Sequence, residues 1–425
     1  MRVFETARIG GMELQNRLLR SATFEGMCDR DGVPGPEYLR FYRMLSEQVL
    51  GAVITGFASI SRDGNGMQPG QACLDDNSKV PAFRKVTEAA HKNGGRIILQ
   101  LAHAGRQTSP AATGGVVYGA SAKRSPYFKV RPRVLTEAQI AVVIQCFANS
   151  ARRAKDAGFD GIQLHAAHGY LIHQFLNPAI NDRIDAYGLD PRRGIGTAFL
   201  QSVIERVRDE CGPSFPLLVK VSGGDNYGHG MGEAEFVQLI QFLDGQQVDA
   251  IEVNFGTMDH ALNIFRGKSI PVKAILRFNP RYATRNPLKQ FLFRALALPW
   301  LQRQFTPFAP MYNLRYALLA KRHTAIPIIS VGGFCGGREI HHAIEGAGID
   351  FVGLSRAVLC EPDFALKVRA ETDYESKCVH CNTCAVMCDS GSATRCCHRP
   401  PMNLPSPAPA EGREEITLEK THYAN

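Results

Sequence analysis

The chain has 425 residues, of which 44% are hydrophobic and 21% are charged. This composition is too apolar for a mostly disordered chain, and the length suits either about three ordinary domains or one large α/β barrel. No apolar run approaches the ~20 residues of a membrane-spanning helix, and the first ten residues lack the basic-then-apolar pattern of a secretory signal. We therefore expect a cytoplasmic protein.

Short apolar segments alternate with helical segments along most of the chain. The predicted strands are Leu18–Ala22, Ala52–Thr55, Arg96–Leu101, Gly161–His165, Leu217–Val221, Ala250–Val253, Pro327–Val331 and Phe351–Leu354. The predicted helices are Val80–Asn93, Thr136–Ala157, Thr197–Glu210, Glu233–Asp244 and Arg338–Gly346. Continuous Val, Ile and Leu runs favour strands that are buried on both faces. Eight such units predict an α/β fold, a (β/α)8 TIM barrel with its chemistry at the carboxyl ends of the strands. A doubly wound open sheet is the competing fold, but no GxGxxG motif follows a strand.

Two regions interrupt this alternation. The segment 258–310 is a long insertion after strand six, and its position there predicts that it lies above the barrel mouth like a lid. After the last strand comes a cysteine-rich segment, followed by the Pro-rich sequence PPMNLPSPAPA. We expect a barrel over 1–370, a cysteine-cluster segment over 371–400 and a disordered tail over 401–425.

The positive charge of the chain is concentrated in the insertion. The net charge is +9, yet no Asp or Glu occurs from His260 through Arg338, where 13 Lys or Arg residues lie. Removing these 13 charges leaves −4 for the rest of the chain, which argues against general nucleic-acid affinity. The insertion is interpreted as a lid for an acidic substrate such as an acyl-CoA, a redox-partner surface, a solvated loop with a packed helix, or a peripheral membrane helix. In the membrane interpretation, the apolar boundary is formed by Phe291, Leu292, Phe293, Leu296 and Trp300.

The sequence FDGIQLHAAHGYLIHQ carries the candidate catalytic residues. A predicted strand ends at His165, and His168 and Tyr170 follow it. Two imidazoles near a phenol can bind an oxyanion and supply a proton. The alternative is that these are ordinary polar residues of a surface loop.

Five motifs occur in an order that resembles a known family. They are LQNRLLRSATFEGM, QLAHAGRQ, HAAHGYLIHQF, VGGF and GLSR. The chain thus resembles the old yellow enzyme family of FMN-dependent oxidoreductases. Its cysteines make it similar to the iron–sulfur branch of 2,4-dienoyl-CoA reductase and trimethylamine dehydrogenase, without their nucleotide-binding domains. The resemblance implies that NADH or NADPH reduces FMN, which then reduces an activated C=C bond of an α,β-unsaturated carbonyl or enoyl thioester.

The resemblance also implies roles for individual residues. His165 and His168 would hold a substrate carbonyl oxygen, and Tyr170 would donate the proton. Lys220 would stabilise the anionic reduced flavin, since a positive charge near the ring favours that state. The implied FMN-binding set is Ala22, Thr23, Ala58, Gln100, His165, Lys220, Gly332, Gly333, Ser355 and Arg356. The sequence departs from the family at Phe24, where many relatives carry Thr or Cys, and at Leu189, where a second Gly is usual.

Six of the 12 cysteines lie between Cys378 and Cys397. Four of them have the spacing C-x2-C-x2-C-x11-C, which can gather four thiolates around a [4Fe–4S] cluster. These candidate metal ligands are Cys378, Cys381, Cys384 and Cys396. Zinc also accepts four thiolates, so the spacing alone does not choose the metal. Cys388 and Cys397 remain spare, and Cys397 is an alternative fourth ligand.

Two other functions stay open at this point. The barrel and cluster are compatible with a flavin dehydrogenase that oxidises its substrate and exports electrons through the cluster. They are also compatible with a non-catalytic electron-transfer subunit. The oligomeric state is not predicted.

Overall fold

Eight parallel strands close into a barrel in this computed structural model, which describes residues 2–225 and 227–398. The strands are β1 Leu18–Arg20, β2 Ala52–Ile54, β3 Ile97–Ala102, β4 Gly161–Ala166, β5 Leu217–Ser222, β6 Ala250–Asn254, β7 Ile328–Val331 and β8 Phe351–Leu354. Each strand pairs in parallel with the next. The barrel closes where Val352 of β8 lies opposite Leu18 of β1.

The predicted (β/α)8 barrel is therefore confirmed, and the predicted strand bounds agree with the observed ones to within two residues. The reason is that the strands are buried on both faces, as their continuous apolar runs indicate. One set of side chains, including Leu19, Ile98 and Phe351, fills the interior together with an N-terminal hairpin, Ala7–Ile9 and Met12–Leu14. The hairpin packs at the amino ends of the strands, so the carboxyl ends are left to form the mouth.

The helices surround the barrel and extend into its mouth. Those before the insertion are α1 Pro36–Ser46, α2 Val80–His91, α3 Glu137–Asp156, α4 Leu171–Leu176, α5 Ala198–Cys211 and α6 Glu233–Asp244. A capping box of Thr136 and Gln139 begins α3. Short strand pairs also link Ala58–Ser59 to β3 and Tyr118–Gly119 to Arg133–Val134.

The insertion 258–310 is mostly helical. It contains α7 Ala261–Ile264, α8 Val272–Phe278, α9 Pro287–Leu292, a π-helical turn Phe293–Ala297 and α10 Leu298–Gln304. Pro299 lacks an N–H group and therefore cannot continue the regular hydrogen-bond ladder through this turn. The expectation that Phe293 is at an exposed boundary is wrong, because its ring is 7% exposed and packs 5.2 Å from Tyr282. No helix in the described residues is long and apolar enough to cross a membrane.

The chain after the insertion returns to the barrel and then folds over its mouth. It forms α11 Leu314–Lys321, α12 Gly337–His341 with a π-helical turn His342–Gly346, α13 Arg356–Cys360, α14 Phe364–Ala370 and α15 Thr383–Met387. The Thr394 N–H donates to the Glu25 carbonyl at 2.8 Å, and the Lys268 N–H donates to the His380 carbonyl at 3.0 Å. These bonds hold the cysteine-rich segment against both the barrel and the insertion. The predicted tail 401–425 lies outside the described residues.

Candidate active site

A cavity of about 520 Å³ lies at the carboxyl ends of the barrel strands. This volume is in the range of cofactor and ligand sites. Its walls come from the barrel, the insertion and the cysteine-rich segment, so three separate parts of the chain enclose it. The predicted site residues on its wall are Ala22, Thr23, Gln100, His165, His168, Tyr170, Lys220, Gly332, Gly333, Ser355 and Arg356.

Ala58 has a different position from the one expected for a flavin contact. It is fully buried among the side chains that pack between strands and helices, and the structure does not place it on the cavity wall. Its neighbour Phe57 lines the cavity instead. The cavity wall in this segment is therefore formed by the residue before Ala58, and a flavin contact of Ala58 stays a prediction.

His165 near the end of β4 and His168 just after it form the centre of the site. Their ring centroids are 5.1 Å apart, and the rings are nearly perpendicular at 78°. The Ala167 N–H donates to His165 Nδ1 at 3.3 Å, which leaves the ring proton on Nε2. His168 adopts a left-handed φ of +60°, and its Nε2 atom has no hydrogen-bond partner among the described residues. Both side chains can therefore donate an N–H to a ligand oxygen.

Burial keeps both imidazoles neutral. It lowers the pKa of His165 well below the ordinary value, and the nearby His168 and Lys220 act in the same direction. Burial and Lys220 also lower the pKa of His168. A ligand oxygen at this place would meet two neutral donors rather than two cations.

Tyr170 completes the group. Its ring centroid lies 4.7 Å from that of His165 and 5.4 Å from that of Phe57. Burial raises the pKa of Tyr170, and the nearby Asp389 and Cys388 raise it further. The phenol therefore stays protonated at neutral pH and is available as a proton donor.

Beneath these residues lies a buried polar network. Lys220 Nζ is 2.9 Å from Glu252 Oε1, and both side chains are almost completely excluded from solvent. Glu252 also accepts a hydrogen bond from Ser21 Oγ at 2.5 Å and one from Gln163 Nε2 at 2.7 Å. Gln163 Oε1 in turn accepts from Gln100 Nε2 at 2.6 Å. The network fixes both Lys220 and Gln100 on the wall of the cavity.

Sequence reasoning missed Glu252 and Gln163. The available signal was a polar residue inside each apolar strand, in AIEVN and GIQLH. A buried carboxylate requires a paired cation or several donors, so Glu252 in a buried strand indicates a partner on a neighbouring strand. The register places Lys220 directly opposite Glu252.

The predicted phosphate-binding residues lie together at the ends of β7 and β8. Gly332 and Gly333 have φ values of +126° and +86°, and a Cβ on Gly333 would lie 2.5 Å from the Met311 nitrogen. Only glycine suits this turn without strain. Ser355 Oγ is 2.9 Å from Thr23 Oγ1, which joins the ends of β8 and β1.

One wall of the cavity is apolar except for Asp389, which has no ion-pair partner among the described residues. Phe24, Phe57, Tyr170 and Met258 form a cluster with the insertion and Cys388. Asp389 also lines this cavity, where Gln68 Nε2 donates to it at 3.2 Å. Burial raises the pKa of Asp389 to about 6. No motif marks this aspartate in the sequence, since it stands alone in a cysteine-rich segment.

A second, smaller cavity of about 20 Å³ adjoins the first. All four predicted metal ligands line it, namely Cys378, Cys381, Cys384 and Cys396. The spare Cys397 lines it as well, whereas the spare Cys388 lines the large cavity. Both cavities share Arg356, Leu359, Asn382 and Cys384 as walls. Within the described ranges, no three His, Cys, Asp or Glu side chains are grouped as ligands of one metal ion, so the geometry by itself supports neither zinc nor an iron–sulfur cluster.

Comparison with known proteins identifies the family. The model of the "NADH:flavin oxidoreductase / NADH oxidase family" matches residues 2–272. The chain belongs to this family. It is 29% identical over 397 residues to the 4,4'-dithiodibutanoate disulfide reductase of Rhodococcus erythropolis. The aligned region covers 93% of this chain and 94% of that protein. It is 31% identical over 289 residues to the NADPH dehydrogenase of Bacillus subtilis (strain 168), which covers 67% of this chain and 82% of that protein.

A solved structure of 2-naphthoyl-CoA reductase in complex with 2-naphthoyl-CoA is similar in fold. The TM-score is 0.77 at 21% identity, over 93% of this chain and 56% of that chain. The chain also spans about half the length of other curated relatives that it matches. The predicted resemblance to the old yellow enzymes is confirmed, and the chain is an NAD(P)H-dependent flavin oxidoreductase.

The residues present fit FMN, the cofactor that the family implies. A cation near the pyrimidine edge would stabilise a reduced flavin, and Lys220, which Glu252 holds on the cavity wall, could supply it. Its phosphate needs a glycine turn with a cation, and the turn at Gly332 and Gly333 lies in the same cavity as Arg356. The unpartnered His168 Nε2 lies in this cavity as well.

Proposed function

We propose that this enzyme uses NADH or NADPH to reduce an activated C=C bond, either in an α,β-unsaturated carbonyl compound or in an enoyl thioester. The observation that carries the proposal is the grouping of His165, His168 and Tyr170 in one cavity, with both imidazoles neutral and the phenol protonated. When FMN is bound, it supplies hydride transfer from the nicotinamide to the β carbon of the alkene.

The chain's own residues would carry out the rest of the reaction. The Nε2–H groups of His165 and His168 donate to the carbonyl oxygen, which stabilises the negative charge that develops there. Tyr170 then gives its phenolic proton to the α carbon, and solvent restores that proton afterwards. The apolar wall around Phe24 and Phe57 excludes water from the reacting carbons.

A Tyr170→Phe variant tests this mechanism. General acid catalysis contributes about 10²–10⁴-fold, so the rate of flavin reoxidation by the alkene is expected to fall by that factor. The rate at which NADPH bleaches the flavin is expected to stay unchanged, because that step needs no phenolic proton. Tyr127→Phe is the matched control, since Tyr127 is a second phenol on the same cavity. Equal slowing of both half-reactions by Tyr170→Phe would refute the proton-donor role.

The substrate is proposed to be a small unsaturated compound with an acidic or CoA-linked group. Arg281 and Lys129 line the cavity and are exposed to solvent, so they can bind phosphates or a carboxylate at the rim. The similar structure of 2-naphthoyl-CoA reductase supports a CoA-linked substrate. Arg281→Gln is expected to raise KM for an enoyl-CoA but not for the same acyl group on a short thioester.

We also propose a [4Fe–4S] cluster bound by Cys378, Cys381, Cys384 and Cys396. The support is the C-x2-C-x2-C-x11-C spacing, together with the position of all four cysteines on the wall of one small cavity that adjoins the large one. Anaerobically purified protein is expected to contain iron and acid-labile sulfide in equal amounts. Cys384→Ser should lower both, whereas Cys388→Ser is the matched control one turn further along, because Cys388 lines only the large cavity. Zinc without iron in such protein would contradict the proposal.

A second candidate is a flavin dehydrogenase that oxidises its substrate and passes electrons to the cluster. The observation that favours it is the wall that both cavities share, which includes Arg356 and Cys384. The two candidates differ in one measurement: only the reductase has its flavin bleached by NADH or NADPH alone. The third alternative, a non-catalytic subunit, has no support, since the chain belongs to a family of oxidoreductases.

A further inference from the structure

The helical stretch 287–304 in the insertion exposes an unusual apolar face. Four of its exposed side chains lie four residues apart, and a fifth, Phe291, lies next to one of them. The exposed fractions are Leu288 65%, Phe291 65%, Leu292 44%, Leu296 71% and Trp300 53%. These five are half of the ten large hydrophobic side chains that are exposed in the described chain. Such a concentration on a protein surface indicates an interaction site.

The opposite face of this stretch is apolar too. Phe293 packs with Ile270, Ile275 and Leu276 in a cluster of the insertion. The stretch is therefore fixed to the protein by one apolar face and presents a second one to the outside. A helix that is apolar on both faces needs a second partner, because a solvent-facing side is normally polar.

The charges around the exposed face indicate the chemistry of that partner. Arg285, Lys289, Arg294 and Arg303 are exposed beside it, and none of them forms an ion pair with an acid in the described ranges. No Asp or Glu occurs in the sequence from 260 to 338. A second copy of the chain is a poor partner, because a symmetric contact would place these cations against each other. Leu, Phe and Trp with flanking Lys and Arg are typical of helices that lie in an anionic bilayer surface.

The same stretch connects this face to the cavity. Trp300, Leu301 and Gln304 line the large cavity, and Trp300 is also one of the exposed residues. The stretch of 18 residues is about 27 Å long at 1.5 Å per residue, so it can lie flat beside the cavity. We propose that helix 287–304 docks on an anionic membrane surface, so that the cavity lies beside the bilayer and takes up unsaturated acidic or CoA-linked substrates whose apolar part partitions into it. The uptake of substrate beside the bilayer rests on the proposed function.

Vesicle flotation of the full-length holoenzyme tests the docking. The protein is expected to float with vesicles that contain phosphatidylglycerol and much less with pure phosphatidylcholine. Raising the salt from about 0.15 M to about 1 M shortens the Debye length from about 8 Å to about 3 Å, so binding should weaken. A basic residue near an anionic surface contributes roughly fivefold in affinity, so Lys289→Gln with Arg294→Gln should weaken binding roughly 30-fold.

Matched controls separate the surface from general effects. Lys85→Gln with Lys92→Gln removes two exposed charges elsewhere and should leave flotation unchanged. Phe291→Ser with Leu296→Ser should weaken binding at least tenfold at the same salt, because two large apolar groups leave the bilayer. The control for that pair is Val142→Ser, at an exposed valine of α3.

Other outcomes would overturn the docking proposal. These are no flotation, flotation that the surface variants leave intact, self-association that those variants abolish, and binding to polyglutamate without binding to vesicles. Flotation is measured without NADPH and substrate, so it stands apart from the reductase reaction. Protein that reduces alkenes but does not float contradicts only the docking, whereas protein that floats but cannot reduce alkenes contradicts only the proposed function.

Discussion

The ion pair of Lys220 and Glu252 offers the sharpest test of how the site is built. The two side chains are 3% and 0% exposed, and their charged atoms are 2.9 Å apart. Lys220→Met removes the cation and leaves Glu252 buried with hydrogen bonds from Ser21 and Gln163 only. Breaking one side of a buried pair costs about 3–5 kcal/mol, so we expect the free energy of unfolding in urea to fall by that amount.

The double variant Lys220→Met with Glu252→Gln isolates the cause. An amide carries no charge, so the double variant should recover most of the stability that the single variant loses. Flavin reduction by NADPH should stay slow in both variants, since neither has a cation near the reduced ring. A double variant that is no more stable than Lys220→Met would show that the loss comes from packing and not from the unpaired carboxylate.

Two further predictions concern pH. Burial lowers the pKa of His103 to about 4, and its Nδ1 accepts the Gly105 N–H at 3.0 Å. In the unfolded chain, His103 takes up its proton near pH 6.5, whereas in the folded protein it does so only near pH 4. The free energy of unfolding is therefore full above pH 6.5 and falls by roughly 3 kcal/mol as the pH decreases towards 4. His103→Gln should flatten this slope in urea unfolding measured across that range. Asp389 changes the pH dependence of stability in the opposite direction. Its pKa is about 6 in the folded protein and about 4 in the unfolded chain, so the free energy of unfolding falls as the pH rises from about 4 to 6. Asp389→Asn should therefore raise the free energy of unfolding above pH 6, and an unchanged value would show that the carboxylate is solvated.

The sequence predicted those parts of the fold that depend on local pattern. The strand β4 and the residues that follow it are an example, because an apolar run ending in His165 places its polar side chains at the barrel mouth. Contacts between distant segments were not predictable in this way. The partner of Glu252 is recognisable only when β5 lies beside β6, and Asp389 joins the cavity only because its segment folds back over the mouth. Which face of a helix is buried also depends on contacts with other segments, as the burial of Phe293 shows.

The position of the cysteine-rich segment also explains why the site belongs to more than the barrel. Arg356 Nη1 donates to Asn382 Oδ1 at 2.7 Å, so a residue at the end of β8 is tied to the loop that carries the candidate cluster ligands. The same segment supplies Asp389 and Cys388 to the large cavity, where both raise the pKa of Tyr170. The environment of the proposed proton donor thus depends on how the segment is held. If the proposed cluster is bound by this segment, its loss would loosen the wall and alter the surroundings of Tyr170 without any change in the barrel, so the segment links the two cavities through structure.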